Sequence, residues 1–106
     1  MNNEESLLNK VKANLIINHN EDDILLKRYI CAAICYAESY QKKEQGYYLE
    51  NPMLPTTEQA VIMLSSYFYE SRDGSTGGFF ADNVSAAKQV WDVVKLLLRL
   101  DKNWNV

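Results

Sequence analysis

Two stretches of this chain place apolar side chains three and four residues apart for about five helical turns each. They are DDILLKRYICAAICYAESY from Asp22 to Tyr40 and TTEQAVIMLSSYFYESRD from Thr56 to Asp73. Such spacing collects the apolar groups on one side of an α-helix, and two such helices must bury those sides against something. The chain is therefore expected to be all-α: a small bundle of about four helices, with a long loop between helices 2 and 3 and a Gly-rich loop or hairpin between helices 3 and 4. In both stretches the apolar, tyrosine-rich stripe ends in a charged cluster. No residue set on either is arranged for catalysis, which points to packing and assembly.

In the first stretch Leu26, Ile30, Ala33, Ala37 and Tyr40 form one stripe, and Leu25, Tyr29, Ala32 and Tyr36 form a second beside it. An arc this wide suits a helix touched on two sides. Asn20 is expected as its N-cap, with Glu21, Asp22 and Asp23 in the first turn, where the helix dipole favours carboxylates. In the second stretch Thr56 and Gln59 read as a capping box after Pro55. Its core stripe is expected to be Ala60, Val61, Leu64, Tyr67 and Phe68, with Met63 and Tyr69 on the flanks and an end near Arg72. A short first helix is read over Ser6 to Leu15 on Leu7, Leu8, Val11 and Leu15. A last helix runs from Val84 or Ser85 to Leu100, with Val84, Ala87, Trp91, Val94 and Leu98 on one line and Val90, Val93 and Leu97 next to it.

Between these helices, KKEQG is a polar exit, and Tyr47, Tyr48 and Leu49 read as a short strand or packed loop that offers a contact surface. DGSTGGFF lacks the frame of a phosphate-binding loop. Phe79 and Phe80 either fold back on the core or face a partner, and Trp104 in the tail either caps the core or anchors in another subunit.

With 106 residues, the chain is expected to form one domain, with its core at about 6–100 and a tail at 101–106. The 11 basic against 14 acidic residues give a net charge of -3, which argues against a general nucleic-acid binder. The polar, acidic start is unlike a signal peptide, and no apolar run approaches the roughly 20 residues that span a bilayer, so no membrane partner is expected. Cys31 and Cys35 are read as small buried hydrophobes of a reducing compartment. A zinc site with His19 would need ligands and a spacing that are absent. With no nucleophile and base brought together, no catalytic residue, metal or cofactor is expected.

The order LLNKVKANLII, EDDILLKRYICAAICYAESY, loop, proline and AVIMLSSYFYESRD resembles the head-tail connector, or adaptor, proteins of tailed bacteriophages and prophages. The resemblance covers about 6–100. It rests on Asp22, Asp23, Leu26, Tyr29, Ile30 and Ala33, then on Ala60, Leu64, Tyr67, Tyr69, Glu70 and Arg72. It implies a structural DNA-packaging protein of the virion head-tail junction, present in host cytoplasm during assembly. Copies would form a homo-oligomeric ring under the portal protein, meet a tail-completion or stopper protein, and let DNA pass without sequence-specific binding. Contact residues expected on this basis and from the residues themselves are Tyr29, Tyr36, Tyr47, Tyr48, Glu70, Arg72, Phe79, Phe80 and Trp104. STGGFFADN lacks the family's usual proline, although Arg99 lies near the expected final arginine. Two other readings stay open: a helical module binding a partner protein, and a small enzyme or metal protein centred on His19, Cys31 and Cys35.

Overall fold

The structure is a computed structural model that describes residues 3–71 and 84–102, with side chains described for 5–71 and 87–102. Five helices occupy these residues, α1 (Asn3–Leu15), α2 (Asp23–Tyr40), α3 (Tyr47–Glu50), α4 (Pro55–Glu70) and α5 (Val84–Arg99), and no strand occurs among them. The helix α4 is the hub: α1 and α2 pack on it and on each other, and α5 packs on α4 with a lighter contact to α2. The shortest molecular dimension, 19 Å, leaves room for about two helix layers.

The core follows the predicted stripes. Leu7, Leu8 and Val11 of α1 meet Leu26, Ile30, Ala33 and Ala37 of α2, Ala60, Val61 and Leu64 of α4, and Val94 and Leu98 of α5. The alanines let backbones approach, and the leucines fill the space between them. Tyr69, expected on the flank of α4, is buried, whereas Tyr67, Phe68 and Tyr40 are half-buried. The Tyr69 hydroxyl donates to the Asp22 carboxylate, which ties the end of α4 to the start of α2.

Several local expectations are corrected. Asp22, not Asn20, is the N-cap of α2, and it makes no side-chain capping bond. Asn20 instead accepts a hydrogen bond from Lys12, whose ammonium also pairs with Asp23 at 2.8 Å. The helix α4 starts at Pro55 after an extended Leu54, without the Thr56 capping box, because the proline ring already fixes a helical φ at the first position. The helix stops at Glu70, short of the expected end; Arg72 and the glycine-rich loop lie outside the described residues. Tyr47 to Leu49 form neither strand nor loop but most of the single turn α3.

Cys31 and Cys35 are exposed, because they sit on the side of α2 opposite Leu26, Ile30, Ala33 and Ala37. Ala32, placed in the second stripe, is exposed too.

Both α1 and α2 end in a Schellman motif without glycine. At the first, Ile17 N–H reaches Lys12 C=O and Ile16 N–H reaches Ala13 C=O; at the second, Lys43 N–H reaches Glu38 C=O and Lys42 N–H reaches Ser39 C=O. Ile16 and Lys42 accordingly hold φ of 59° and 60°. These left-handed caps turn the chain sharply between consecutive helices.

Candidate subunit interface

A continuous seam of six aromatic rings joins α2, α4 and α5. Tyr29 meets Phe68 at 6.0 Å between centroids, Phe68 meets Tyr67 at 5.9 Å, and Tyr67 meets Trp91 at 5.8 Å. Trp91 then meets Tyr36 edge-on at 5.2 Å, and Tyr36 stacks on Tyr40 at 6.1 Å. Edge-on and tilted pairs of this kind add about 0.5–1.5 kcal/mol beyond the area they bury. Burial pushes the Tyr36 phenol above its ordinary pKa, with Tyr40 adding to the effect. Tyr29 and Tyr36, both expected as contact residues, therefore turn part of each ring inward and keep part at the surface.

The C-terminal end of α2 carries a buried polar knot. Gln41, fully buried, donates to Thr57 Oγ1 at 2.9 Å and to the Leu98 carbonyl at 3.0 Å, and accepts from the Tyr48 hydroxyl. One side chain thus joins the end of α2, the turn α3, the start of α4 and the end of α5. The Glu38 carboxylate accepts the N–H groups of Gly46 at 3.1 Å and Tyr48 at 2.9 Å, which holds α3 in place. Gly46 supplies the φ of +89° that the entry to this turn needs. Burial, helped by the Asp101 carboxylate and opposed by a hydrogen bond with Thr57, pushes the Tyr48 phenol up to about 12.

Tyr48 is accordingly no surface contact. The sequence places it among the interface residues, yet it is 2% exposed and serves as an internal pin. Its neighbour Tyr47 is half-buried, edge-on to Tyr48, with the Lys43 ammonium 4.6 Å from its ring centre. Gln41, Glu38 and Thr57 escaped the sequence reading, although Gln41 extends the stripe of Leu26, Ile30, Ala33 and Ala37 by one more helical step. A glutamine in register with a buried stripe was the available signal.

Glu70 lines a cleft of about 350 Å³ together with Asn14, Leu15, Ser66 and Val90, where α1, α4 and α5 meet. Asn14 donates to Ser66 Oγ across it at 2.8 Å, and Glu70 has no hydrogen-bond or ion-pair partner among the described residues. Arg72, Phe79, Phe80 and Trp104 lie outside those residues.

The metal reading gains nothing. Among the described residues no group of three or more His, Cys, Asp and Glu side chains could hold an ion. His19 is exposed and accepts the Glu21 N–H at 3.3 Å. Partial burial, then Cys31 and the Glu38 carboxylate, push the Cys35 thiol up, which disfavours the thiolate that a metal or an electrophile needs.

The exterior carries large apolar groups, among them Leu96 and Leu100, which the sequence reading left unassigned, and Val93, which it placed beside the core line of α5. Val93 and Leu96 on α5 and Leu100 just past its end are 40%, 60% and 67% exposed, away from the Val94 and Leu98 face. Leu49 on α3 is 85% exposed. Among the described residues α5 is thus apolar on two sides, one of them exposed.

A model of the phage gp6-like head-tail connector protein family matches residues 5–97. The chain belongs to this family. The match runs from α1 into α5, so all five helices of the connector lie wholly or mostly within it. Two parts of the pattern that carried the resemblance, Asp22 and Tyr69, meet in the connector fold through the bond between α2 and α4. No curated protein and no solved structure matches the chain.

Proposed function

We propose that the chain is one connector domain whose copies close into a ring beneath the portal, continue the DNA channel toward the tail, and do no catalysis. The observation that carries this reading is the family match over 5–97. Three features support it. The uncovered apolar side of α5 gives each copy a surface that needs a neighbour. Heterologous contacts between copies close into a ring whenever their rotation divides the circle. A net charge of -3 suits a conduit that must not hold the DNA passing through it.

The test is co-sedimentation with the assembled portal of the same phage. The proposal expects the chain to move with portal as a defined complex and to leave it when α5 is disrupted. A chain that never joins portal at any concentration contradicts the proposal.

A further inference from the structure

Glu70 combines a missing partner with a recess. Among the described residues the carboxylates of Glu21, Glu44, Glu50 and Glu70 make no ion pair and no hydrogen bond, and the first three are exposed. Glu70 is half-buried in the cleft of about 350 Å³, whose walls include the apolar Leu15, Met63 and Val90 and the Tyr67 ring. Asn14 uses its amide N–H on Ser66, which leaves its Oδ1 as a second acceptor in the same cleft. The described ion pairs on the flanking helices are already closed, Lys10 with Glu58 at 2.7 Å and Lys88 with Asp92 at 3.1 Å. A hollow with apolar walls and two such acceptors takes a cation carried on an apolar stem, which describes an arginine side chain.

The helix α2 presents the counterpart. Its six exposed residues, Ile24, Arg28, Cys31, Ala32, Cys35 and Ser39, share the side away from Leu26, Ile30, Ala33 and Ala37. Arg28 is the sole charge among them, and no described residue of its own chain pairs with it. Lys27, its neighbour in sequence, lies on another side of the helix and pairs with Glu5 at 3.7 Å. The other two described bases without a partner are set among further charges: Lys42 lies next to Lys43 and Glu44, and Lys95 stands about one turn from Asp92 and Arg99. Cys31, Ala32 and Cys35 are small enough to let another surface approach α2 closely. Ile24, 74% exposed and one turn before Arg28, adds an apolar group on the same side.

We propose that Arg28 of one copy of this chain enters the cleft of the next and pairs with Glu70, with the outer side of α2 lying against the mouth of the cleft. The Arg28 methylenes then run along Leu15, Met63 and Val90, and the guanidinium donates to the Glu70 carboxylate and to Asn14 Oδ1. No residue of α2 lines the cleft, so the two halves of the contact are different surfaces and the contact is heterologous. It rests on the ring reading set out above and names the surfaces that join. A charge pair walled off from water outweighs one on open surface, and it rejects a neighbour docked out of register.

The experiment uses the full chain, with Arg28→Glu and Glu70→Lys made separately. Arg28 is exposed and Glu70 has no partner among the described residues of its own chain, so both variants are expected to keep the wild-type helical circular dichroism and melting temperature. Each is expected to weaken self-association, alone or on portal, by at least about tenfold. Glu70→Gln, which keeps the shape of the side chain, is expected to weaken it too and serves where a reversal disturbs the fold. Mixed in equal amounts, the two reversed chains offer each other opposite charges at both halves of the contact. They are expected to associate with each other although neither does so alone, a recovery that only contact between copies can give.

If wild type assembles while the folded variants assemble equally well, or if mixing brings no recovery, the assignment of these surfaces is overturned and the ring reading stands. If wild type does not associate with itself or on portal, the ring reading fails and takes this contact with it.

Discussion

At the residue scale the fold turns on Gln41 and Tyr48. A buried glutamine whose amide serves three different elements cannot be removed without loss, because the Thr57 hydroxyl and the Leu98 carbonyl it bonds belong to buried residues. Gln41→Leu is expected to destabilise the chain by about 2–3 kcal/mol in urea unfolding, with earlier hydrogen exchange at α3 and at the end of α5. Unchanged stability would show the knot to be incidental.

Tyr48 gives the protein an alkaline limit. Its folded pKa, about 12, lies above the ordinary value of 10.0, so the unfolded chain loses the phenolic proton first. Stability from this group is complete below pH 10 and is lost as pH rises toward 12, at up to about 1.4 kcal/mol per pH unit. Tyr48→Phe is expected to flatten that slope relative to wild type between pH 10 and 12. An identical slope in both proteins would place the titration elsewhere.

At the scale of elements, the sequence told more about faces than about ends. The stripes of α2 and α4 were legible because burial of Leu26, Ile30, Ala33, Ala60, Val61 and Leu64 imposes a period that nothing else in the sequence competes with. Caps were not legible, because they depend on which partner reaches a side chain first. The Asp22 side chain bonds Tyr69 and that of Asn20 bonds Lys12, so the N-cap position of α2 carries no side-chain capping bond. The Schellman ends of α1 and α2 were hidden because an isoleucine and a lysine stand where glycine is the usual signal.

That substitution has a measurable cost. A β-branched residue in the left-handed region is strained, and the Ile16 side chain is 91% exposed and contributes little packing in return. Ile16→Gly is expected to stabilise the isolated chain by about 1 kcal/mol, read as a higher melting temperature. A lower one would mean that the isoleucine holds the turn through contacts of its own.

At the scale of the whole molecule, the family and the all-α bundle could be read from the order of the motifs, while the surfaces could not. Tyr48 and the two cysteines show why. Exposure depends on how α3 and α2 are turned within the assembled chain, and a tyrosine on a short connection reads as surface until a buried acceptor such as Gln41 claims its hydroxyl. The reverse error concerns Val93, read as lying beside the core line of α5, which instead faces outward with Leu96 and Leu100. A helix with two apolar sides in a chain of this size leads directly to the expectation of neighbours.

The most direct test of that expectation is native mass by light scattering across a concentration range, with negative-stain imaging of any large species, first alone and then with portal. Closed rings with a central hole, at a mass that is a whole multiple of 12.2 kDa once any portal is subtracted, are the predicted result. A chain that remains monomeric at high concentration and in the presence of portal would contradict the account.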